Sequence, residues 1–237
     1  RIVRDRQLGS FSEYCQILME NPEQEKDYFI NAITTNLTSF FREQHHFDYM
    51  KSHELPRLIK EKKSEKRLRI WSSASSTGEE PYSIAITVLE ALKGQLSLWD
   101  AKILATDIDS NVLATGKKGI YDERRIEDIP KSFKKKYFHK GIDNNSDKVK
   151  VDQQLQELLT FKKLNLLEGW PMSGPFDIIF CRNVIIYFDK KTQQGLFERY
   201  YDMLAPGGLL ILGHSENLGN YQQYFESVGR TIFRKPK

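Results

Sequence analysis

Leu68-Arg69-Ile70-Trp71, then Ser72-Ser73-Ala74-Ser75-Ser76-Thr77-Gly78, then Glu79-Glu80-Pro81-Tyr82-Ser83 is the run whose reading decides the fold. Residues 68–71 read as a short buried strand. Residues 81–92 read as a helix with Pro81 in its first turn, where a missing N–H costs nothing. The loop between them holds only small residues, which let a ligand approach the backbone closely. A strand, a tight loop and a returning helix form the repeating unit of a parallel sheet.

Downstream, 102–106 reads as a strand and 111–118 as a helix. Residues 176–181 then read as a strand, and 189–204 as a helix capped by Asp189. Pro206-Gly207-Gly208 turns into a strand at 209–212, and 231–234 is a final strand. The alternation predicts an α/β chain whose mainly parallel sheet is covered on both faces. Residues 122–163 interrupt it. Within them 137–140 and 149–151 pair as a hairpin around the polar turn 143–147, so the segment is read as an inserted β-subdomain. Upstream, Ser10 caps a helix carrying Phe11, Tyr14, Ile17 and Leu18 on one side, and Asn21-Pro22 ends it. A second helix covers 23–33, residues 34–38 do not continue it, and 40–62 is helical with a break near Pro56. The charged run 60–67 is a linker. This divides the chain into a helical N-terminal domain, 1–62, and an α/β domain, 63–237.

The 237 residues are 39% hydrophobic and 29% charged, as in an ordinary globular chain. No apolar run approaches the roughly 18–20 residues of a membrane span, and 1–7 lead into polar sequence, so no signal peptide is read there. Residue 1 is Arg rather than Met, so residues are expected to precede it. Cys15 and Cys181 lie far apart and form neither a disulfide framework nor a metal-ligand cluster; reduced thiols in the cytoplasm are expected. The net charge of +4 is unevenly spread: residues 117–150 hold eleven Lys/Arg against six Asp/Glu, and Arg1, Arg4 and Arg6 make the N-terminus basic. Such patches either attract an acidic partner or are simply solvated.

In a parallel sheet, ligands bind past the carboxyl ends of the strands, which places a site at the loop 72–78. The loop lacks the G-x-G-x-x-G fingerprint. Glu79-Glu80 at the start of the helix disfavour a bound phosphate and suit a ligand with amines or hydroxyls. Asp107, at the end of the second strand, either accepts hydrogen bonds from two ribose hydroxyls or caps the next helix together with Asp109-Ser110.

Longer strings carry a resemblance. Thr35-Asn36-Leu37-Thr38-Ser39-Phe40-Phe41-Arg42-Glu43, the run 71–83, Ala105-Thr106-Asp107-Ile108-Asp109, Asn165-Leu166-Leu167, the run 180–188 and Gly213-His214-Ser215-Glu216-Asn217 occur in order along the whole chain. Together they closely resemble the chemotaxis receptor methyltransferase (CheR) family. The resemblance implies an α/β, Rossmann-like S-adenosylmethionine-dependent methyltransferase sheet, a small helical N-terminal domain and an inserted antiparallel β-subdomain. It implies S-adenosylmethionine as cofactor, with S-adenosylhomocysteine as product. Asn36, Thr38 and Arg42 match the motif that closes over the cofactor. Glu80 and Asp107 match its acidic contacts, and Asn165-Leu166 with Asn183-Val184 match the adenine and methionyl walls. Leu166 and Val184 are equally good core residues, and Asn183 equally a strand-end turn.

The implied acceptor is a glutamate on the cytoplasmic helices of methyl-accepting chemotaxis receptors. Free glutamate, with a pKa of roughly 4.3, is ionised at neutral pH, so no general base is required and no metal is expected. Arg42 is read as the partner of the cofactor's carboxylate, or else as a positioner of the acceptor. Tyr187 is read as orienting the acceptor or lining the sulfonium, or else as a core aromatic. A receptor C-terminal tail on the β-subdomain is a further expected contact, and a monomer is expected. Enzymes that methylate nucleic-acid amines carry Asn/Asp-Pro-Pro-Tyr/Phe where this chain has Cys181-Arg182-Asn183-Val184, so nucleic acid is not an expected partner.

Overall fold

A computed structural model describes residues 2–237; Arg1 of the basic N-terminus lies outside them. Three helices come first, α1 (Ile2–Asp5), α2 (Phe11–Glu20) and α3 (Pro22–Ile33). After an irregular segment, α4 (His45–Tyr49), a π-helical turn (Met50–Glu54) and α5 (Leu55–Glu61) lead into β1 (Arg67–Ser72). The chain continues through α6 (Glu79–Leu92), β2 (Asp100–Asp107), α7 (Ser110–Lys118), β3 (Ile120–Asp122), α8 (Lys131–Tyr137), β4 (Phe138–Lys140) and β5 (Lys148–Val151). It ends with α9 (Gln153–Leu158), β6 (Leu159–Lys163), β7 (Phe176–Cys181), α10 (Lys190–Met203), β8 (Leu204–Leu212), β9 (Glu226–Gly229) and β10 (Ile232–Arg234).

The main sheet has the order β6-β2-β1-β7-β8-β10-β9. From β6 to β8 neighbouring strands are parallel, while β10 runs antiparallel to both β8 and β9. The chain lays down β1, moves outward to β2 and β6, then returns to β1's other side as β7. That reversal opens a crevice beyond the carboxyl ends of β1 and β7. Strand alternation sends Ile70, Ile178, Phe180, Leu209 and Ile211 into one core, together with Phe47, Met50, Leu55 and Leu58 from α4, the π turn and α5. It sends Trp71, Ile179, Cys181, Leu210 and Leu212 into the other, under Leu196, Phe197 and Tyr200 of α10. The sheet is thus covered on both faces, and its central strands are buried residue after residue.

Beside the main sheet stands a three-stranded antiparallel sheet, β3-β5-β4. The expected hairpin is there, with Phe138 paired to Val151 and Lys140 to Val149. Two main-sheet strands differ from the sequence reading. β6 lies in the segment read as insertion, yet it pairs in parallel with β2 from Ile103–Leu159 to Asp107–Lys163. β9 had no reading at all. Both edge their sheet and have no fully buried residue, so neither forms the continuous apolar run that marks the central strands. The helical break expected near Pro56 is the π turn immediately before α5, where proline has no N–H to offer the carbonyl four residues back.

Trp71 is fully buried, meets Trp170 edge-on and packs at a tilt against Phe176 and Tyr200, and donates from Nε1 to Thr106 Oγ1 at 2.9 Å. Trp71→Ala removes the largest side chain of the face below the crevice. It is expected to lower stability to urea unfolding by about 3–5 kcal/mol. A loss under about 1 kcal/mol would contradict this account of the core.

Candidate active site

The crevice holds a cavity of about 440 Å³. Five chain segments line it: residues 30–42 from the end of α3 onward, the loop after β1, Asp107-Ile108 after β2, 164–167 after β6, and 182–188 after β7. Asn36, Thr38, Arg42, Glu80, Asp107, Asn165, Leu166, Asn183, Val184 and Tyr187 all contribute to the wall. Tyr187 stands at the mouth with 62% of its surface exposed, so it is not a core aromatic. Leu166 is buried and Val184 half-buried, and both still face the cavity.

The small-residue loop is pinned by backbone bonds. The Ser73 N–H donates to the Phe180 carbonyl at 2.9 Å and the Ser75 N–H to Thr106 at 2.8 Å. Gly78 ends the loop at φ +100°, and a Cβ there would meet the Tyr121 hydroxyl at 2.8 Å and the Gly116 Cα at 2.9 Å. Small size here therefore serves packing as well as access. Asp107 accepts from the Ser76 N–H at 2.8 Å and the Asp109 N–H at 3.0 Å. Burial raises its pKa against the pull of those amides. The helix cap is a different residue: Asp109 Oδ1 accepts from the N–H groups of Asn111 and Val112 at the start of α7.

Asp109 also binds the segment that crosses the cavity. Its Oδ2 accepts from Thr34 Oγ1 at 2.7 Å and Asn36 Nδ2 at 2.8 Å. Farther along, the Asn36 carbonyl accepts from Ser76 Oγ, the Thr38 carbonyl from Arg125, and the Phe41 N–H donates to Ser83 Oγ. Arg42 folds back, one N–H donating to the Leu37 carbonyl at 2.6 Å. Residues 34–42 thus form a strap tied to the α/β unit along its length. Asn36 serves that tie with its side-chain amide and lines the cavity together with its neighbours.

Arg182 is the charge at the centre. Its side chain is 2% exposed and pairs with Glu80 at 2.9 Å and Glu43 at 3.3 Å, and it donates to the Arg42 carbonyl. Burial raises the Glu80 pKa against Arg182 and the Ser72 hydroxyl, which donates at 2.7 Å. At Glu43 burial also works upward, but Arg182 and the His214 N–H hold the carboxyl below its ordinary range. So Glu80 faces the cavity with both oxygens engaged by protein donors. Asn165 is engaged locally as well, accepting from the Leu167 N–H and donating to Glu168.

Sequence reasoning gave no role to Arg182 or Glu216, although both stand inside strings quoted above, and it considered Asp109 only as a cap. Their signal was the string alone, because each acts through contacts made across the fold. The basic surfaces are less free than their counts imply. Arg6 makes two bonds to the buried Glu25, at 2.8 and 2.7 Å. Lys136 pairs with Glu90, Lys140 with Glu123 and Lys148 with Asp122. Such surface pairs reduce the field that an acidic partner meets.

A family model described as "CheR methyltransferase, SAM binding domain" matches residues 36–234. The chain is 47% identical over 234 residues to chemotaxis protein methyltransferase 2 of Pseudomonas aeruginosa, covering 98% of this chain and 81% of that one. It is 43% identical over 235 residues to a probable chemotaxis protein methyltransferase of Rhizobium etli, covering 98% and 87%. It is 40% identical over 239 residues to the chemotaxis protein methyltransferase of Escherichia coli, covering 100% and 80%. Among solved structures, the glycopeptide N-methyltransferase MtfA with sinefungin aligns over 68% of this chain and 48% of that one, at 14% identity and a TM-score of 0.38.

Two outcomes follow from this geometry. Asp109→Ala uncaps α7 and unties the strap. It is expected to cost about 1 kcal/mol for the cap and to speed amide exchange selectively in residues 34–38; unchanged exchange there would remove Asp109's tie from the account. His46, fully buried beside Glu43 and bonded to Thr231 Oγ1 at 2.9 Å, has its pKa pushed down to about 2 by burial, then by Arg182 and His45. Unfolded His46 takes its proton near pH 6.5, so its contribution is full above that pH and is lost as pH falls below it. Lowering the pH from 7 to 5.5 is expected to cost about 1 kcal/mol. His46→Gln should remove that part of the slope, and an identical slope in the variant would contradict it.

Proposed function

The chain belongs to the CheR methyltransferase family, and we propose that it esterifies glutamate side chains on the cytoplasmic helices of chemotaxis receptors. Members of the family use S-adenosylmethionine, and this chain is such a methyltransferase. The observation that carries the finer reading is the cavity itself. Five separated segments bring one set of groups to a crevice whose mouth displays an exposed tyrosine.

The wall suits the cofactor's chemistry. Asp107 offers a buried carboxylate to a pair of hydroxyls, and Leu166 and Val184 offer apolar faces to a flat base. Arg42 offers a planar fork to a carboxylate. When bound, S-adenosylmethionine supplies an electrophilic methyl group on a sulfonium and leaves as S-adenosylhomocysteine. The chain's own part is placement: reacting atoms must be held roughly 3–3.5 Å apart and in line. The acceptor carboxylate needs no base. What it needs is a wall that excludes water while opposite charges cancel. The strap 34–42 and loop 182–188 supply that wall, and Tyr187 orients the acceptor at the mouth. An Arg42 bound tightly to the attacking carboxylate would stabilise the ground state most. Arg42 is therefore assigned to the cofactor's own carboxylate.

The wider reading follows the same premise. The protein works in the cytoplasm as a monomer, without nucleic acid and without inserting in the membrane; among the described residues no helix is long and apolar enough to cross one. A receptor C-terminal tail would dock on the β3-β5-β4 sheet.

The test is transfer of labelled methyl to a receptor cytoplasmic fragment, followed by base. Esters are expected to release the label as volatile methanol; label that stays on the protein would overturn glutamate as acceptor. Asp107→Ala should weaken cofactor affinity roughly ten- to hundred-fold, from loss of charge-assisted hydrogen bonds. Unchanged affinity in a folded variant would remove Asp107 from the ribose. Arg42→Lys should weaken cofactor binding and turnover together. Intact binding with reduced turnover would move Arg42 to the acceptor.

A further inference from the structure

The loop that follows β7 carries Asn183, Val184 and Tyr187, yet it has almost no regular structure to hold it. Asn183 sits at φ +56°, in the left-handed region that costs a side-chain-bearing residue energy. Residues 185–187 make only a single 3₁₀ turn. What fills the gap lies thirty residues farther on, after β8. Glu216 is 5% exposed. Its Oε2 accepts from the Asn183 N–H at 2.9 Å and the Gly213 N–H at 2.7 Å. Its Oε1 accepts from the N–H groups of Val184 at 2.9 Å, Ile185 at 2.8 Å and Ile186 at 3.4 Å. A carboxylate has about four lone-pair sites and no donor, so one side chain satisfies backbone donors from both loops.

A second observation concerns the neighbouring glycine. A Cβ on Gly213 would lie 2.6 Å from Asn183 Nδ2, 2.7 Å from Glu216 Oε2 and 2.8 Å from the Asn183 N. Only glycine lets the two loops come this close. We infer that Glu216 is the positioning residue of the active site: through the backbone amides of 183–186 it fixes the cofactor wall Asn183-Val184 and the acceptor-facing Tyr187 in one rigid unit. Glu216 itself does not line the cavity. It sets the angle and depth at which the loop presents both, on the reading of the cavity proposed above. In-line transfer tolerates little error, because a displacement of about 1 Å can cost on the order of a hundredfold in rate.

Two variants approach the contact from opposite sides. Glu216→Gln keeps the size but replaces one acceptor oxygen with an NH₂ donor facing N–H groups. Gly213→Ala leaves Glu216 intact and wedges the loops apart. For each, the measurements are amide exchange, affinity for S-adenosylmethionine by calorimetry, and kcat and KM on a receptor fragment. The expected result is at least tenfold faster exchange at 183–186, with the β7 amides at 178–180 unchanged. Cofactor affinity should fall a fewfold, and kcat should fall on the order of ten- to a hundredfold, a larger loss than in KM for the fragment. Exchange and cofactor affinity are read without any acceptor, so a wrong acceptor would leave them informative. Folded variants with wild-type protection at 183–186 and kcat within twofold would overturn the inference. Cooperative unfolding lost in both variants would also overturn it, by making Glu216 a residue of the fold at large.

Discussion

Everything at the cavity is organised around one buried cation. Arg182 lies at the end of β7, where the sheet's reversal leaves the carboxyl ends of its central strands uncovered. Its guanidinium reaches Glu80 on α6, Glu43 beyond the strap, and the Arg42 carbonyl within it. Arg42 and Glu43 are adjacent, so the guanidinium joins two parts of the chain far apart in sequence, the end of the strap and the first turn of α6. A buried charge is tolerated when it is paired and hydrogen-bonded, and here the pairing also fixes where the strap and the helix meet. The sequence near the site contains two acidic neighbours because the arginine needs them. Glu80 is thus a structural partner of Arg182 at the same time as it faces the cavity.

Around that cation the site is held by hydrogen bonds to buried carboxylates. Asp107 accepts from the small-residue loop, Asp109 from the strap and the start of α7, and Glu216 from the loop after β7. Asp107 and Glu216 take backbone N–H groups that neither helix nor sheet satisfies, and Asp109 takes the Thr34 and Asn36 side chains together with the first amides of α7. Such walls can be both polar enough to recognise a charged cofactor and rigid enough to align a methyl transfer.

The sheet was legible in the sequence because its central strands are buried on both faces. Ile70-Trp71 and Ile178-Ile179-Phe180-Cys181 are continuous apolar stretches, and the glycine-bounded loop with its following helix admits few other readings. β6 was not legible, since Leu159-Thr160-Phe161-Lys162-Lys163 pairs on one side only and leaves its lysines in water. The helices at 45–61 were legible as helices, but nothing in their periodicity shows that Phe47 and Met50 enter the core beneath the sheet. At the site, the residue types lining the cavity could be named from strings. The work of Arg182, Asp109 and Glu216 could not, because a side chain that binds distant backbone amides leaves no period and no local spacing. The basic patches show the converse: lysines countable in sequence are spent on ion pairs with acids remote from them, such as Lys136 on Glu90.

The central claim is that one cavity, built from five separated segments, seats the cofactor. Hydrogen exchange with and without saturating S-adenosylmethionine tests it most directly. The account predicts added protection in residues 34–42, 73–80, 107–109, 164–167 and 182–188 together, with the β3-β5-β4 sheet unchanged. Protection confined to one of those segments, or appearing mainly in the small sheet, would contradict it.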